Sequence, residues 1–226
     1  RPFRKAGPRG FVELMARSNF SFLQAASHPE EVVEQAIRLD YEGIGLCDLN
    51  GLYGVARGYQ TMTSPSAFEV SLEAKKGFSY LLGTELTLTD TTSLVLMPMT
   101  KAGYSNLCGL LTQGKRQVAK GFSQIEPEDL KNFQQDLLAF AVPPISEERF
   151  LKLSEIFGDR LYIPVWRDLT WDSREYYKQA VQLEYKYHAQ LFVTNRPLMH
   201  VSDRKPLLDI LTCILHHTTI DEAKNI

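Results

Sequence analysis

The sequence has few of the features that mark secreted, membrane-spanning or generally nucleic-acid-binding proteins. Its three cysteines, Cys47, Cys108 and Cys213, are odd in number, far apart and not in zinc-finger spacing, so neither a disulfide framework nor a cysteine-based metal finger is indicated. No run approaches the ~18 apolar residues of a membrane-spanning helix, and residues 1–10 lack the apolar core of a signal peptide. The net charge of −2 provides no general attraction for nucleic acid. We therefore predict a cytoplasmic protein without membrane contact, in which any contact with DNA is local.

The length and composition indicate one large domain. A chain of 226 residues with 44% hydrophobic content fits a single α/β unit, because such folds commonly run to ~200–250 residues. Residues 1–10 are basic and rich in proline and glycine, which predicts a flexible segment. The domain is then expected to occupy residues 11–226. The pattern near residues 221–226 resembles the middle of a helix, so the chain is expected to be a fragment of a longer polypeptide.

Strand-like and helix-like patterns alternate about seven times along the chain. Short apolar or alternating runs predict strands at residues 11–17, 43–47, 78–89, 93–97, 137–142, 161–165 and 190–194. Helical periodicity predicts helices at 29–39, with Ser27 as the cap, and at 53–62, 104–112, 150–157, 174–187 and 207–215. This alternation predicts a parallel α/β fold, either a barrel or a doubly wound sheet.

Five segments, in order along the chain, resemble one known family. They are ELMARSNFSFL at 13–23, CDLNGLYG at 47–54, GTE at 83–85, GYSNLCGLLTQGKR at 103–116, and TNRPLMH at 194–200 followed by RKPLLDILTCI at 204–214. Together they resemble the PHP (polymerase and histidinol phosphatase) domain of bacterial C-family DNA polymerases, and most closely the error-prone relative of the DNA polymerase III alpha subunit. The resemblance implies a distorted (β/α)7 barrel with a metal cluster at the carboxyl ends of its strands. It also implies a parent DNA-directed DNA polymerase whose catalytic core lies outside these residues.

The family's metal-ligand positions are mostly occupied here by residues that cannot bind a metal ion. Where the family has two histidines on its first strand, this chain has Met15 and Arg17, and where the family has an Asp-His pair, it has Asp48 and Leu49. The family's acidic position is occupied by Glu85. The first and third positions of the family's Asp-x-His triplet are occupied by Arg196 and Leu198. A thioether is a poor ligand for hard or borderline cations, and a guanidinium group cannot lose its proton to become one. The resemblance therefore implies a degenerate metal site, no bound cofactor and no catalytic residue in this domain.

The two arginines at these positions allow other interpretations than the loss of a metal ligand. Arg17 either neutralises Asp48 and Glu85 in place of the missing ions or is a solvated residue at the rim of the barrel. Arg17 and Arg196 are also suited to phosphate, because arginine binds phosphate through two parallel donors. His200 lies two residues beyond a ligand position and is expected to make a structural hydrogen bond.

These observations favour a non-catalytic domain of an error-prone polymerase active in replication or translesion repair. Its expected partners are the remainder of the polymerase chain, accessory polymerase proteins, and DNA through the parent protein. One alternative is a residual metal-dependent phosphoesterase or 3′–5′ exonuclease that uses Asp48 and Glu85. Another is a phosphate- or DNA-binding module that uses Arg17 and Arg196.

Overall fold

The structure is a computed structural model in which residues 10–63, 76–116, 118–168 and 171–223 are described. The predicted flexible segment at residues 1–10 lies outside these ranges, apart from Gly10. The strands are β1 (Val12–Ala16), β2 (Gly43–Leu49), β3 (Ser79–Thr87), β4 (Ser93–Pro98), β5 (Leu137–Val142), β6 (Leu161–Val165) and β7 (Gln190–Val193). The helices are α1 (Pro29–Arg38), α2 (Val55–Thr63), α3 (Lys101–Arg116), α4 (Leu130–Phe133), α5 (Glu147–Phe157), α6 (Trp171–Tyr187) and α7 (Lys205–Leu215).

The predicted alternation of strands and helices is confirmed, with two local differences. The prediction omitted α4, because its four residues are too few to produce a helical pattern. Ser27 is not the cap of α1. The cap is His28, whose backbone N–H donates to Glu31 Oε2 at 2.8 Å. The Ser27 hydroxyl is instead hydrogen-bonded to His200.

The sheet is mixed, so the prediction of an entirely parallel sheet was wrong. Hydrogen bonds link the seven strands in chain order, from β1 to β7. The pairs β1–β2, β5–β6 and β6–β7 are parallel, whereas β4 runs antiparallel to both β3 and β5. The connection between β3 and β4 consists only of residues 88–92, and a parallel crossover needs about a dozen residues or more. The short connection therefore forces β4 to reverse direction.

The contacts divide the described chain into two compact units. The first comprises the described residues within Arg1–Asp48, Leu52–Leu82 and Arg196–Ile226, and the second comprises Leu49–Gly51 and Gly83–Asn195. In the first unit the apolar side of α1 packs on β1 and β2, and the buried cluster contains Ala16, Val32, Val33, Ala36, Ile37 and Ile44. The second unit is built on β4 and β5, whose fully buried residues include Leu94, Leu96, Leu137 and Phe140. Each unit therefore has a hydrophobic core of its own.

Candidate functional site

Three segments of the first unit meet at the carboxyl ends of β1 and β2. Ser18, just after β1, donates from its backbone nitrogen and its hydroxyl to the two carboxylate oxygens of Asp48, each at 2.8 Å. Arg17 donates from its backbone nitrogen to the carbonyl of Pro197 at 3.1 Å. We call this group, Arg17, Ser18, Ser21, Asp48 and residues 196–198, the carboxyl-end cluster. It contains Arg17, Asp48, Arg196 and Leu198, four of the positions that the sequence singled out.

Asp48 is bound by protein donors. Its side chain is only 2% exposed, and Oδ1 accepts a further hydrogen bond from the Ser21 hydroxyl at 2.8 Å. Burial raises the pKa of this carboxyl group, and the Ser18 and Ser21 donors and the Arg17 charge lower it to a smaller extent. A buried carboxylate that accepts three hydrogen bonds has a structural role whether or not a metal ion is near.

Arg17 is a buried residue, so the solvated-rim alternative is wrong. It is 7% exposed, and its Nη1 donates to Gln24 Oε1 at 3.2 Å. Its positive charge acts on Asp48 and lowers the pKa of that carboxyl group. Charge compensation of Asp48 by Arg17 therefore stays a prediction, in which a buried carboxylate is tolerated because a positive charge acts on it.

The space beside Asp48 is closed by the chain itself. A Cβ atom at Gly54, just before α2, would lie 2.6 Å from Asp48 Oδ2 and 2.9 Å from Ser18 Oγ. Met15, on β1, is fully buried. The backbone at Gly54 therefore approaches the carboxylate as closely as only glycine allows.

The segment after β7 is held mainly through its backbone. Arg196 adopts a left-handed conformation with φ of 46° and is half-buried. The carbonyl of Leu198 accepts a hydrogen bond from Ala26 N at 2.8 Å. The segment thus contributes two backbone acceptors, at Pro197 and Leu198, that fix the loop following β1.

Glu85 and Leu49 belong to the second unit. Glu85, on β3, is buried, and its Oε1 accepts a hydrogen bond from the Ser93 hydroxyl at 2.6 Å. Its backbone carbonyl accepts from Asn50 N at 2.8 Å, and Leu49 is half-buried. The Glu85 carboxylate therefore has a protein donor within its own unit.

The histidines of the described residues are not grouped with other ligand-type side chains. In the described part of the chain, no group of three or more His, Cys, Asp or Glu side chains is arranged so that it could hold a metal ion. His200 makes the expected structural hydrogen bond, with Nδ1 2.8 Å from the Ser27 hydroxyl, and burial lowers its pKa. His216 and His217 follow α7 and do not lie within it, because the helix ends at Leu215.

A cavity of about 670 Å³ lies in the second unit at the carboxyl ends of β6 and β7. The last residues of both strands line it, together with two aromatic and three cationic side chains: Trp166, Arg167, Arg174, Tyr177 and Lys178. Of the aromatic side chains at the cavity, Tyr177 on α6 is exposed. The grouping of cationic residues with aromatic ones at residues 166–178 was a signal in the sequence that could have indicated this cavity.

Comparisons with known proteins agree on the family and the fold. The family model described as "PHP domain" matches residues 13–188. The chain is 61% identical over 217 residues to the error-prone DNA polymerase of Bdellovibrio bacteriovorus, and the match covers 96% of this chain and 20% of that protein. It is 36% identical over 221 residues to the error-prone DNA polymerase of Brucella abortus, covering 94% of this chain and again 20% of the relative. The chain thus spans about a fifth of the length of these relatives.

Solved structures with little sequence similarity share the fold. A protein from Bifidobacterium adolescentis, assigned as a metal-dependent phosphoesterase, superposes with a TM-score of 0.58 at 12% identity, covering 91% of this chain and 98% of the other. The lesion-specific endonuclease EndoQ from Pyrococcus furiosus gives a TM-score of 0.53 at 12% identity, covering 84% of this chain and 48% of the other. The predicted distorted barrel of the PHP type is confirmed. No helix among the described residues is both long and apolar enough to cross a membrane. The chain belongs to the PHP domain family.

Proposed function

We propose that this chain serves as the PHP domain of a cytoplasmic error-prone DNA polymerase, and that it acts there as a non-catalytic scaffold with a degenerate metal site. The observation that carries the proposal is the state of Asp48, whose oxygens accept three hydrogen bonds from Ser18 and Ser21. Metal-assisted hydrolysis requires ligands that converge on an ion and leave an open position for water. The carboxyl-end cluster instead presents a hydrogen-bonded carboxylate and a buried guanidinium, and the thioether of the nearby residue Met15 on β1 is buried as well.

The scaffold role follows from what the cluster does in place of metal binding. Hydrogen bonds from Ser18 and Arg17 join the end of β1 to the end of β2 and to residues 196–198. In this proposal these hydrogen bonds within the chain and the charge of Arg17 hold the three segments together, and no bound metal ion is needed to do so. The role left for the domain is contact with the remainder of the polymerase chain and with accessory polymerase proteins.

Metal content tests this proposal directly. The purified chain is dialysed against zinc and manganese, freed of excess ions and analysed by elemental mass spectrometry, with Asp48→Asn as the matched variant. We expect both proteins to retain far less than one ion per chain. Stoichiometric metal in the wild-type chain that is lost in Asp48→Asn would contradict the proposal. Metal-dependent hydrolysis of phosphate esters or DNA ends, lost in the same variant, would establish the phosphoesterase alternative.

The cavity at β6 and β7 favours a second candidate function, the binding of single-stranded DNA. Arg17 is poorly suited to that role because it is buried, but the cavity offers the exposed Tyr177 and the half-buried Trp166 beside cationic groups. Aromatic side chains stack on any base, and lysine or arginine contacts the phosphates.

Salt-dependent binding of an oligothymidine tests this second function. If the cavity binds DNA, Lys178→Ala weakens binding and reduces the slope of log affinity against log salt by about 1. Lys152→Ala is the matched control, because Lys152 is similarly exposed on α5 and is also paired with a glutamate on its own helix. Equal effects of the two substitutions, or no measurable binding by the wild-type chain, would exclude the cavity as a DNA site.

A further inference from the structure

The helix α7 presents an uncovered apolar face. Leu207, Ile210 and Ile214 are 39%, 48% and 52% exposed, and their spacing of three and four residues places them on one side of the helix. Cys213 is the only residue of α7 that is buried. From Ile210 to Leu215 the helix carries no charged residue.

A comparison within the same unit shows how unusual this face is. In α1 the apolar residues Val32, Val33, Ala36 and Ile37 are all buried. By contrast, α7 has no extensive contact with another described helix or strand apart from the short 3-10 helix Ser202–Arg204 that precedes it. A helix that is apolar on most sides is normally buried, and a contiguous exposed apolar patch marks an interaction surface.

We propose that this face, formed by Leu207, Ile210 and Ile214, is the docking surface for another domain of the same polymerase chain. This inference rests on the proposed function, and it identifies the surface through which the scaffold would act. The relatives at 61% and 36% identity are about five times longer than the matched region, so most of their mass lies outside it. In a polymerase chain of that length, another domain of the same polypeptide is available to cover the apolar face of α7.

The size of the face favours an intrachain partner over a separate protein. Eleven helical residues span about 16 Å. A single helix face of this length is smaller than a stable interface between separate proteins, which buries roughly 1,200–2,000 Å². A covalently linked domain is present at a high effective concentration, so a smaller apolar contact suffices to hold it.

The test is hydrogen–deuterium exchange on the longer polymerase chain, comparing wild type with Ile210→Glu. A charge in the centre of the face should expel the docked domain. Amides of α7 are then expected to exchange at least about tenfold faster, and so are those of a second segment outside these 226 residues. The amides of α1 should be unaffected, which shows that the domain remains folded.

Matched substitutions and protein concentration separate the alternatives. Leu207→Glu should reproduce the effect, whereas Leu151→Glu on α5 should not, although Leu151 is equally exposed at 38%. Faster exchange confined to α7, or protection that depends on protein concentration as in a self-associated pair, would overturn the proposal. Either result leaves the metal measurement untouched, so failure of this inference is distinguishable from failure of the proposed function.

Discussion

Asp48→Ala is expected to lower the free energy of unfolding by about 3–5 kcal/mol, the usual cost of removing one partner from a buried charged network. The substitution leaves the Ser18 amide and the Ser18 and Ser21 hydroxyls without their acceptor, and it leaves the buried charge of Arg17 without the carboxylate. Asp48→Asn should cost only about 1–2 kcal/mol, because one acceptor oxygen remains and the hydroxyls can rotate. Chemical denaturation of the three proteins measures both differences.

The pH dependence of the same comparison reveals the charge state of Asp48. Burial raises the pKa of its carboxyl group above the ordinary value of 3.8. At a pH between 3.8 and the pKa in the folded state, the folded state therefore binds more protons than the unfolded state. The contribution of Asp48 to stability therefore falls as pH rises through that window, and it is constant above the folded-state pKa. The stability of the wild-type chain relative to Asp48→Asn should decline with pH in the same interval.

A surface carboxylate in the same unit serves as the control for these measurements. Asp209 is 42% exposed and pairs with Lys205 on α7. Asp209→Ala should cost less than about 1 kcal/mol, as is typical of exposed ion pairs. If Asp48→Ala were no more costly than Asp209→Ala, the carboxyl-end cluster would not be a structural element.

Gly103→Ala is expected to destabilise the second unit by about 3 kcal/mol. A Cβ atom at this position of α3 would lie 2.1 Å from the carbonyl oxygen of Asp136. That oxygen cannot easily move, because it accepts a hydrogen bond from Met99 N at 2.9 Å, and the Asp136 side chain accepts another from Thr100 at 2.8 Å. Thermal and denaturant unfolding both measure the loss.

Gly109→Ala, on the same helix, is the matched control. Its added Cβ would lie 2.8 Å from the ring edge of Phe133. Phe133 is half-buried, so its ring can rotate away from the added methyl group. Alanine is also favoured over glycine in a helix by about 1 kcal/mol, which offsets the crowding. We expect a change near zero at Gly109. Equal losses at the two positions would show that contact with the fixed carbonyl does not determine the cost.

The sequence predicted the elements well because their patterns are local. The alternation of apolar and polar residues in β1 and the amphipathic spacing of α1 are each complete within about ten residues. The direction of β4 was not predicted correctly, because it depends on the length of one connection and on pairing with distant strands. The four residues of α4 are too short for any period to show.

The candidate site was only partly predictable. Resemblance located both Asp48 and Arg17. The donors to Asp48 could not be foreseen, because Ser18 and Ser21 lie 30 and 27 residues away along the chain. The same holds for Ser27, whose local position indicates a helix cap but whose hydroxyl bonds to His200, 173 residues later. The cavity at β6 and β7 requires two strands and a helix to assemble before it exists.

The close fit of Gly54 against Asp48 and Ser18 has a consequence for how such domains change over generations. Each of these residues is suited to the others, so a substitution at any one of them is opposed by selection for a folded protein alone. An aspartate at a ligand-type position can therefore be retained for the stability of the fold alone. Its retention in a related sequence is a sign of packing constraint before it is a sign of activity.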